Sequence, residues 1–318
     1  MKIVFAGTTP FSAFHLDLLI KSKNEVAAVL TQPDRKSGRG KKLNISPVKA
    51  FSEKERLLVI QPKSLRNNPE VIEDLRAISP DLILVVAYGL ILPAEIINLP
   101  EFGCINIHAS LLPRWRGAAP IERSILEGDS KGGITYMKMD EGLDTGPIMK
   151  LLPCPFDEDE DSESLEKKYQ NLSQVELISF LGDLAGGRVK EVKQDTELAT
   201  YAEKIEKQET EIFWEQEPVE HIERKIRALF PKYGAFTFFG DKRIKILNSK
   251  KATISRLLSP GELSQEGGAL FVGCQNNQSL RLQSLQIEGK RPISVEDFIK
   301  GNGAKIFRIK KFSSSLEN

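Results

Sequence analysis

Cysteine, histidine and long apolar runs are what this sequence is short of, and each shortage removes a class of function. Three cysteines in 318 residues, Cys104, Cys154 and Cys274, are odd in number and far apart. No disulfide framework is expected from them, and a reducing, cytoplasmic setting fits. The three histidines, His15, His108 and His221, stand in no Cys/His cluster, which leaves a metal site little to work with. No apolar run approaches the roughly 20 residues that cross a bilayer, and the N-terminus reads as a strand without a signal-peptide cleavage site. Two phosphate-binding motifs are also missing. The first turn, Gly7-Thr8-Thr9-Pro10-Phe11-Ser12, lacks the second and third glycines of the dinucleotide fingerprint, and no Walker sequence occurs.

What is present is ordinary in amount and uneven in distribution. The apolar share of 40% and the charged share of 28% are those of a soluble globular protein. The length suggests two domains, because single cores rarely grow beyond about 250–300 residues. The net charge of +1 hides an asymmetry: residues 207–318 hold 19 Lys+Arg against 13 Asp+Glu, and the rest of the chain is acidic. A basic appendage on an acidic body suits a polyanionic partner, although such a surplus also arises in proteins that never touch nucleic acid.

Along the first half, strands and helices alternate. Lys2–Ala6, Glu25–Thr31, Leu57–Ile60 and Asp81–Ala87 read as strands; helices are expected from Pro10, from Ser46-Pro47 and over Asn68–Ile78. Ile83-Leu84-Val85-Val86 is apolar without alternation, as in a strand covered on both faces. The pattern predicts a doubly wound, mostly parallel sheet with ligands beyond the carboxyl ends of its strands. Residues 1–185 form this expected domain, 186–206 a polar linker, and 207–318 a second domain. In the last, Ala235–Phe239, Ile244–Leu247, Thr253–Leu258, Ala269–Val272 and Leu280–Ile287 suggest a small barrel of about five strands.

Two segments carry chemistry. Gly103–Ile107 reads as a strand that delivers Asn106 and His108 on one face before Pro113 breaks it. The second, Asp140-Glu141-Gly142-Leu143-Asp144-Thr145-Gly146-Pro147, has the composition of a tight loop. Separately, each has a plain reading: a hydrogen-bonded histidine at a strand end and a solvated acidic turn. Together, Asn106, His108 and Asp144 supply an oxyanion donor, a titratable ring and an orienting carboxylate, which suits moving an acyl group onto an amine.

The run Asn106-Ile107-His108-Ala109-Ser110-Leu111-Leu112-Pro113-Arg114-Trp115-Arg116-Gly117 resembles the signature of the folate-dependent formyltransferases. So do the opening strand and turn, the stretch Thr31-Gln32-Pro33-Asp34-Arg35 with Gly38-Arg39-Gly40-Lys41-Lys42-Leu43, and the Asp144 loop. The resemblance implies a Rossmann-like catalytic domain followed by an OB-like barrel. It implies 10-formyltetrahydrofolate as co-substrate, no metal, and contacts to folate from Ser110, Leu111, Leu112 and Pro113, with the ends of the first and fourth strands walling the pterin. The acceptor it implies is the α-amino group of methionine on initiator tRNA, with Arg39, Lys41 and Lys42 reaching the acceptor end and the basic barrel, including Lys242, Arg243 and Lys245, gripping the backbone. The basic loop from Gln32 to Ile45 is equally readable as a solvated, mobile segment. A formyltransferase acting on a small amine, such as glycinamide ribonucleotide or an amino-sugar nucleotide, would need neither basic feature. A monomer is expected. The residues leave open which group carries the proton shed by the amine.

Overall fold

The computed structural model describes residues 1–37 and 42–315. In chain order its elements begin with β1 (Lys2–Gly7), α1 (Pro10–Ile20), β2 (Glu25–Leu30), β3 (Arg35–Ser37), β4 (Lys42–Asn44), α2 (Pro47–Lys54) and β5 (Val59–Ile60). There follow α3 (Pro69–Ile78), β6 (Leu82–Val86), α4 (Ala94–Ile97), β7 (Cys104–His108), β8 (Arg116–Gly117), α5 (Pro120–Glu127), β9 (Lys131–Lys138), β10 (Ile148–Pro155), α6 (Ser162–Ala185) and β11 (Tyr201–Ala202).

Helix starts obey local chemistry. Ser46 and Asn68 accept from the backbone of Lys49 and Val71, and proline follows each as the first helical residue, where its missing N–H costs nothing. Asp161 accepts from Ser164 N at 2.8 Å, so the acidic run before α6 supplies a cap. The main sheet runs β10–β9–β7–β6–β1–β2–β5. From β5 to β7 the strands are parallel, and β9 and β10 are antiparallel additions. All five residues of β6 are buried, which explains its unbroken apolar sequence. Inside α1, buried His15 lies between the rings of Phe11 and Phe14 and donates from Nδ1 to the Phe11 carbonyl at 2.8 Å. Burial pulls its pKa down to about 4.

The chain divides into two compact units. The first holds Met1–Pro120, Lys131–Pro155 and Glu166–Ala202; the second holds Ile121–Ser130, Phe156–Leu165 and Glu203–Asn318. Within the tract 186–206, expected to be a linker, residues up to Ala202 are hydrogen-bonded into the first unit: Val192 bridges Ile148, and β11 pairs in parallel with β8.

The second unit contains α7 (Val219–Leu229), β12 (Ala235–Phe239), β13 (Lys242–Ala252), β14 (Leu263–Glu266), β15 (Ala269–Gly273), β16 (Ser279–Ile287), β17 (Ile293–Ser294) and α8 (Val295–Ile309). Its antiparallel sheet runs β12–β13–β16–β15–β14, with β17 paired to β16. Residues 310–313 join the two outer strands into a barrel. Phe238 and Ser313 exchange backbone bonds on one side; on the other, Leu263 N donates to Lys310 O and Phe312 N to Gly261 O, each at 2.8 Å. Phe239, Phe298 and Phe312 pack edge to face inside it. The strand expected over Thr253–Leu258 does not form. β13 continues instead through the lysine-rich Asn248–Ala252, paired to β16 along its length, and the polar segment Leu263–Glu266 takes the outer position.

Candidate active site

β7 lies between β6 and β9, and its carboxyl end carries the functional side chains. Asn106 and His108 sit opposite Met137 and Thr135 of β9, two residues apart on one face of the strand. His108 is buried, and its Nε2 lies 2.8 Å from the carbonyl of Trp115. A carbonyl can only accept, so Nε2 carries a proton and donates. Nδ1 is left to face Asp144, whose Oδ2 is 3.6 Å away.

The Trp115 carbonyl is aimed by restraint. Trp115 has φ of +64°, uncommon for a bulky residue, so the chain around it must hold it there. Thr200 does so from both sides: its hydroxyl accepts from Trp115 N at 2.9 Å, and its carbonyl accepts from Arg116 N at 2.8 Å.

Asp144 has φ of +52°, a conformation aspartate tolerates better than most residues. Its loop is tied internally, with Thr145 Oγ1 donating at 2.6 Å and Gly142 N at 3.0 Å to Asp140 Oδ1. The Asp144 carboxylate accepts from Asn106 Nδ2 at 3.2 Å on Oδ1 and from Gly117 N at 2.9 Å on Oδ2. The three residues expected from sequence thus meet at one carboxylate. Gly117 is required where it stands: its φ is +122°, and a Cβ would come within 2.7 Å of the Ala202 carbonyl. The second N–H of the Asn106 amide has no partner among the described residues. A donor beside a histidine and a carboxylate can stabilise an oxygen that gains negative charge.

Sequence reasoning missed Gln194 and Thr200, which lie in the tract expected to be a linker. Gln194 is buried and holds the Asp144 loop by its backbone carbonyls, and the Arg116 guanidinium holds Gln194. A glutamine in a polar stretch announces no chemistry, and no sequence signal pointed to it.

Ser110, Leu111, Leu112 and Pro113 form the turn after β7. The Ser110 hydroxyl donates to the Arg114 carbonyl at 2.6 Å, while Thr135 Oγ1 donates to Ser110 O and accepts from Leu112 N. The ends of β1 and β6 lie nearby in the sheet. Thr8 Oγ1 and Gln32 Nε2 both donate to the Tyr88 carbonyl, at 2.8 and 3.0 Å. The Tyr88 ring is buried, its hydroxyl has no partner among the described residues, and burial raises its pKa. Among the described residues, the backbone amides of residues 89–92 donate to no group. Unpaired backbone amides of this kind can donate to the polar edge of a ligand.

Arg39 and Lys41 lie outside the described residues, as does the side chain of Lys42. The flanking residues form a two-stranded ribbon, β3 against β4, rather than an unstructured loop. Its root is pinned by Asp34, which accepts from Lys49 Nζ at 2.6 Å and Gln61 Nε2 at 2.8 Å. The hydrogen bond from Lys49, then that from Gln61, holds the Asp34 carboxyl below its ordinary range. In the second unit Lys242 is exposed, Arg243 lies over the Phe236 ring, and Lys245 donates to the Tyr233 carbonyl. Among the described residues no cluster of three His, Cys, Asp or Glu side chains could hold a metal ion. No helix among them is long and apolar enough to cross a membrane.

Two family models match the chain: formyl transferase over residues 1–181 and formyl transferase, C-terminal domain, over residues 204–303. A methionyl-tRNA formyltransferase of Legionella pneumophila (strain Paris) is 41% identical over 306 residues, covering 96% of this chain and 97% of its own. Two solved structures, each 17% identical, share the fold. HypX from Aquifex aeolicus, in complex with tetrahydrofolic acid, superposes with a TM-score of 0.64 over 96% of this chain and 47% of its own, so the chain spans about half of HypX. WlaRD, a sugar 3N-formyl transferase, superposes with a TM-score of 0.65 over 92% of this chain and 99% of its own. With both halves matched and a curated relative alike from end to end, the chain belongs to the formyl transferase family.

Proposed function

We propose that this chain transfers the formyl group of 10-formyltetrahydrofolate to the α-amino group of methionine on initiator methionyl-tRNA, for translation initiation. The observation that carries the chemistry is the meeting of Asn106 and His108 on the Asp144 carboxylate. The end-to-end likeness to methionyl-tRNA formyltransferases supports the acceptor.

The folate supplies a formyl group on N10, a weakly basic aryl nitrogen that leaves the tetrahedral intermediate as the neutral amine when the protonated His108 ring passes it a proton. Asn106 donates its remaining N–H to the formyl oxygen as negative charge develops there. Removing such a donor typically costs about 2.7–4 kcal/mol. His108 can donate to the same oxygen only from Nδ1, because Nε2 is committed to the Trp115 carbonyl. That requires the doubly protonated ring, whose positive charge Asp144 stabilises. Asp144 also receives the proton shed by the attacking amine, directly or through water. No serine or cysteine nucleophile is needed, since the amine attacks the formyl carbon itself.

Ser110, Leu111, Leu112 and Pro113 contact the folate, and the β1 and β6 ends wall the pterin. Because the Ser110 hydroxyl is engaged by Arg114, this segment acts through its shape and apolar side chains. Arg39, Lys41 and Lys42 engage the acceptor end of the tRNA, and the basic barrel holds its backbone. The protein acts as a monomer in the cytoplasm; its three cysteines form no disulfide and are buried, which suits a reducing compartment. Incubation with formyl-folate and either charged initiator tRNA, glycinamide ribonucleotide or an amino-sugar nucleotide tests the reading. Formylation confined to the tRNA is expected. Turnover of a small amine at a comparable kcat/KM would overturn the acceptor assignment.

A further inference from the structure

We infer that Gln194 is a positioning residue for formyl transfer: its amide, oriented by buried Arg116, clamps the Asp144 loop by two carbonyls and fixes the carboxylate between Asn106 and His108. The inference rests on the role proposed above for Asp144.

The argument begins with valence. A carboxamide offers two N–H donors and an oxygen with two lone pairs. Gln194 Nε2 donates to the carbonyls of Asp144 at 2.8 Å and Gly146 at 2.7 Å. Its Oε1 accepts from Arg116 Nε at 3.1 Å and Nη2 at 2.8 Å. All four positions are filled. Turning the amide over would set oxygen against two carbonyls and NH2 against a guanidinium, so only one orientation is possible.

Both side chains are nearly inaccessible, Arg116 at 2% and Gln194 at 4% exposure. If residue 194 served only to satisfy a buried arginine, a carboxylate would be the stronger partner, since charge-assisted pairs are roughly twice as strong as neutral ones. The neutral amide is needed because its other end must donate, and because a second negative charge would compete with Asp144 for the histidine. The gripped carbonyls belong to the left-handed Asp144 itself and to Gly146, where a Cβ would meet the Lys138 carbonyl at 1.9 Å. The clamp therefore closes on the part of the loop whose backbone is least able to settle elsewhere.

Arg116 sits between two other contacts to the same centre. Trp115 gives its carbonyl to His108, and Gly117 gives its N–H to Asp144. Three consecutive residues thus fix the ring, the loop and the carboxylate. Gln194 transmits the middle contact.

The test compares Gln194→Met, which removes all four hydrogen bonds, with Gln194→Glu, which keeps a partner for Arg116 and turns oxygen toward the loop carbonyls. Single-turnover formyl transfer should fall about 10- to 100-fold in both, while dissociation constants for 5-formyltetrahydrofolate and charged tRNA stay within about threefold. The 15N shifts of the His108 ring, identified against a His108→Ala spectrum, should move in both variants. In an Asp144→Ala background, adding Gln194→Met should cost less than about twofold more. An unshifted His108 signal, or the same fold-loss with and without Asp144, would overturn the clamp. Asp144→Ala losing less than about tenfold would instead sink the role proposed for Asp144. Should Gln194→Met not fold, Gln194→Glu retains the buried pair and carries the same readouts.

Discussion

Asp144→Asn isolates charge from shape at the centre of the site. The substitution keeps the side chain's volume, so Gly117 N can still donate to an oxygen in the Oδ2 position. The new amide then points its NH2 at Asn106 Nδ2, donor against donor, where the carboxylate had accepted at 3.2 Å. The larger loss concerns His108. A full charge on Nδ1 interacts with the carboxylate across 3.6 Å by about 5 kcal/mol at an effective dielectric of about 20. Water and neighbouring dipoles recover part of this, leaving a loss of about 3 kcal/mol, or about 10²-fold in rate. The assay is single-turnover transfer of a labelled formyl group to charged initiator tRNA, with equilibrium binding of both substrates measured in parallel. The expected result is a slow enzyme with unchanged affinities, because a group acting only in the transition state lowers the rate without altering binding. A rate within fivefold of wild type would show that the ring needs no counter-charge. A tenfold loss of affinity would make Asp144 a scaffold residue.

Asn106→Ala should lower the single-turnover rate about 10²–10³-fold at unchanged folate affinity, measured in the same assay. Gly117→Ala should destabilise the protein by about 1–3 kcal/mol in urea unfolding, because the φ of +122° and the Ala202 carbonyl both exclude a methyl group. Replacing both Arg39 and Lys41 by alanine should flatten the slope of log affinity against log salt for tRNA by about 0.7–0.9 per lost phosphate contact; an unchanged slope would remove these two residues from the interface. His15 predicts a pH dependence of stability. Its pKa is about 4 folded against an ordinary 6.5, so the unfolded chain binds more protons between those values. Stability is therefore full above about pH 6.5 and declines by about 3 kcal/mol as pH falls toward 4. His15→Leu should remove that share of the decline in unfolding titrations at pH 7 and pH 4.

The sheet was readable because its determinants are local. Apolar strand runs and the Ser46-Pro47 cap each act within a few residues, and each formed where expected. Asn106 and His108 were readable because two-residue spacing on a strand sets their direction regardless of the rest of the fold. Gln194 was not, since its meaning lies in carbonyls about fifty positions earlier in the chain. The barrel misled for a similar reason. Thr253–Leu258 has the residue types of a strand, yet Leu257 is exposed, while polar Leu263–Glu266 gains its place by pairing with β15. Strand preference is settled by the neighbour as much as by the residue.

The four residues from Lys310 to Ser313 that close the barrel also guard its solubility. If a protease cut after Ile309 and residues 310–313 came away, β12 would lose its paired bonds to Ser313 and β14 the bond from Leu263 to Lys310, leaving those amides and carbonyls unanswered. Either margin could then recruit a strand from a second molecule, and a closed container would become a template for polymers.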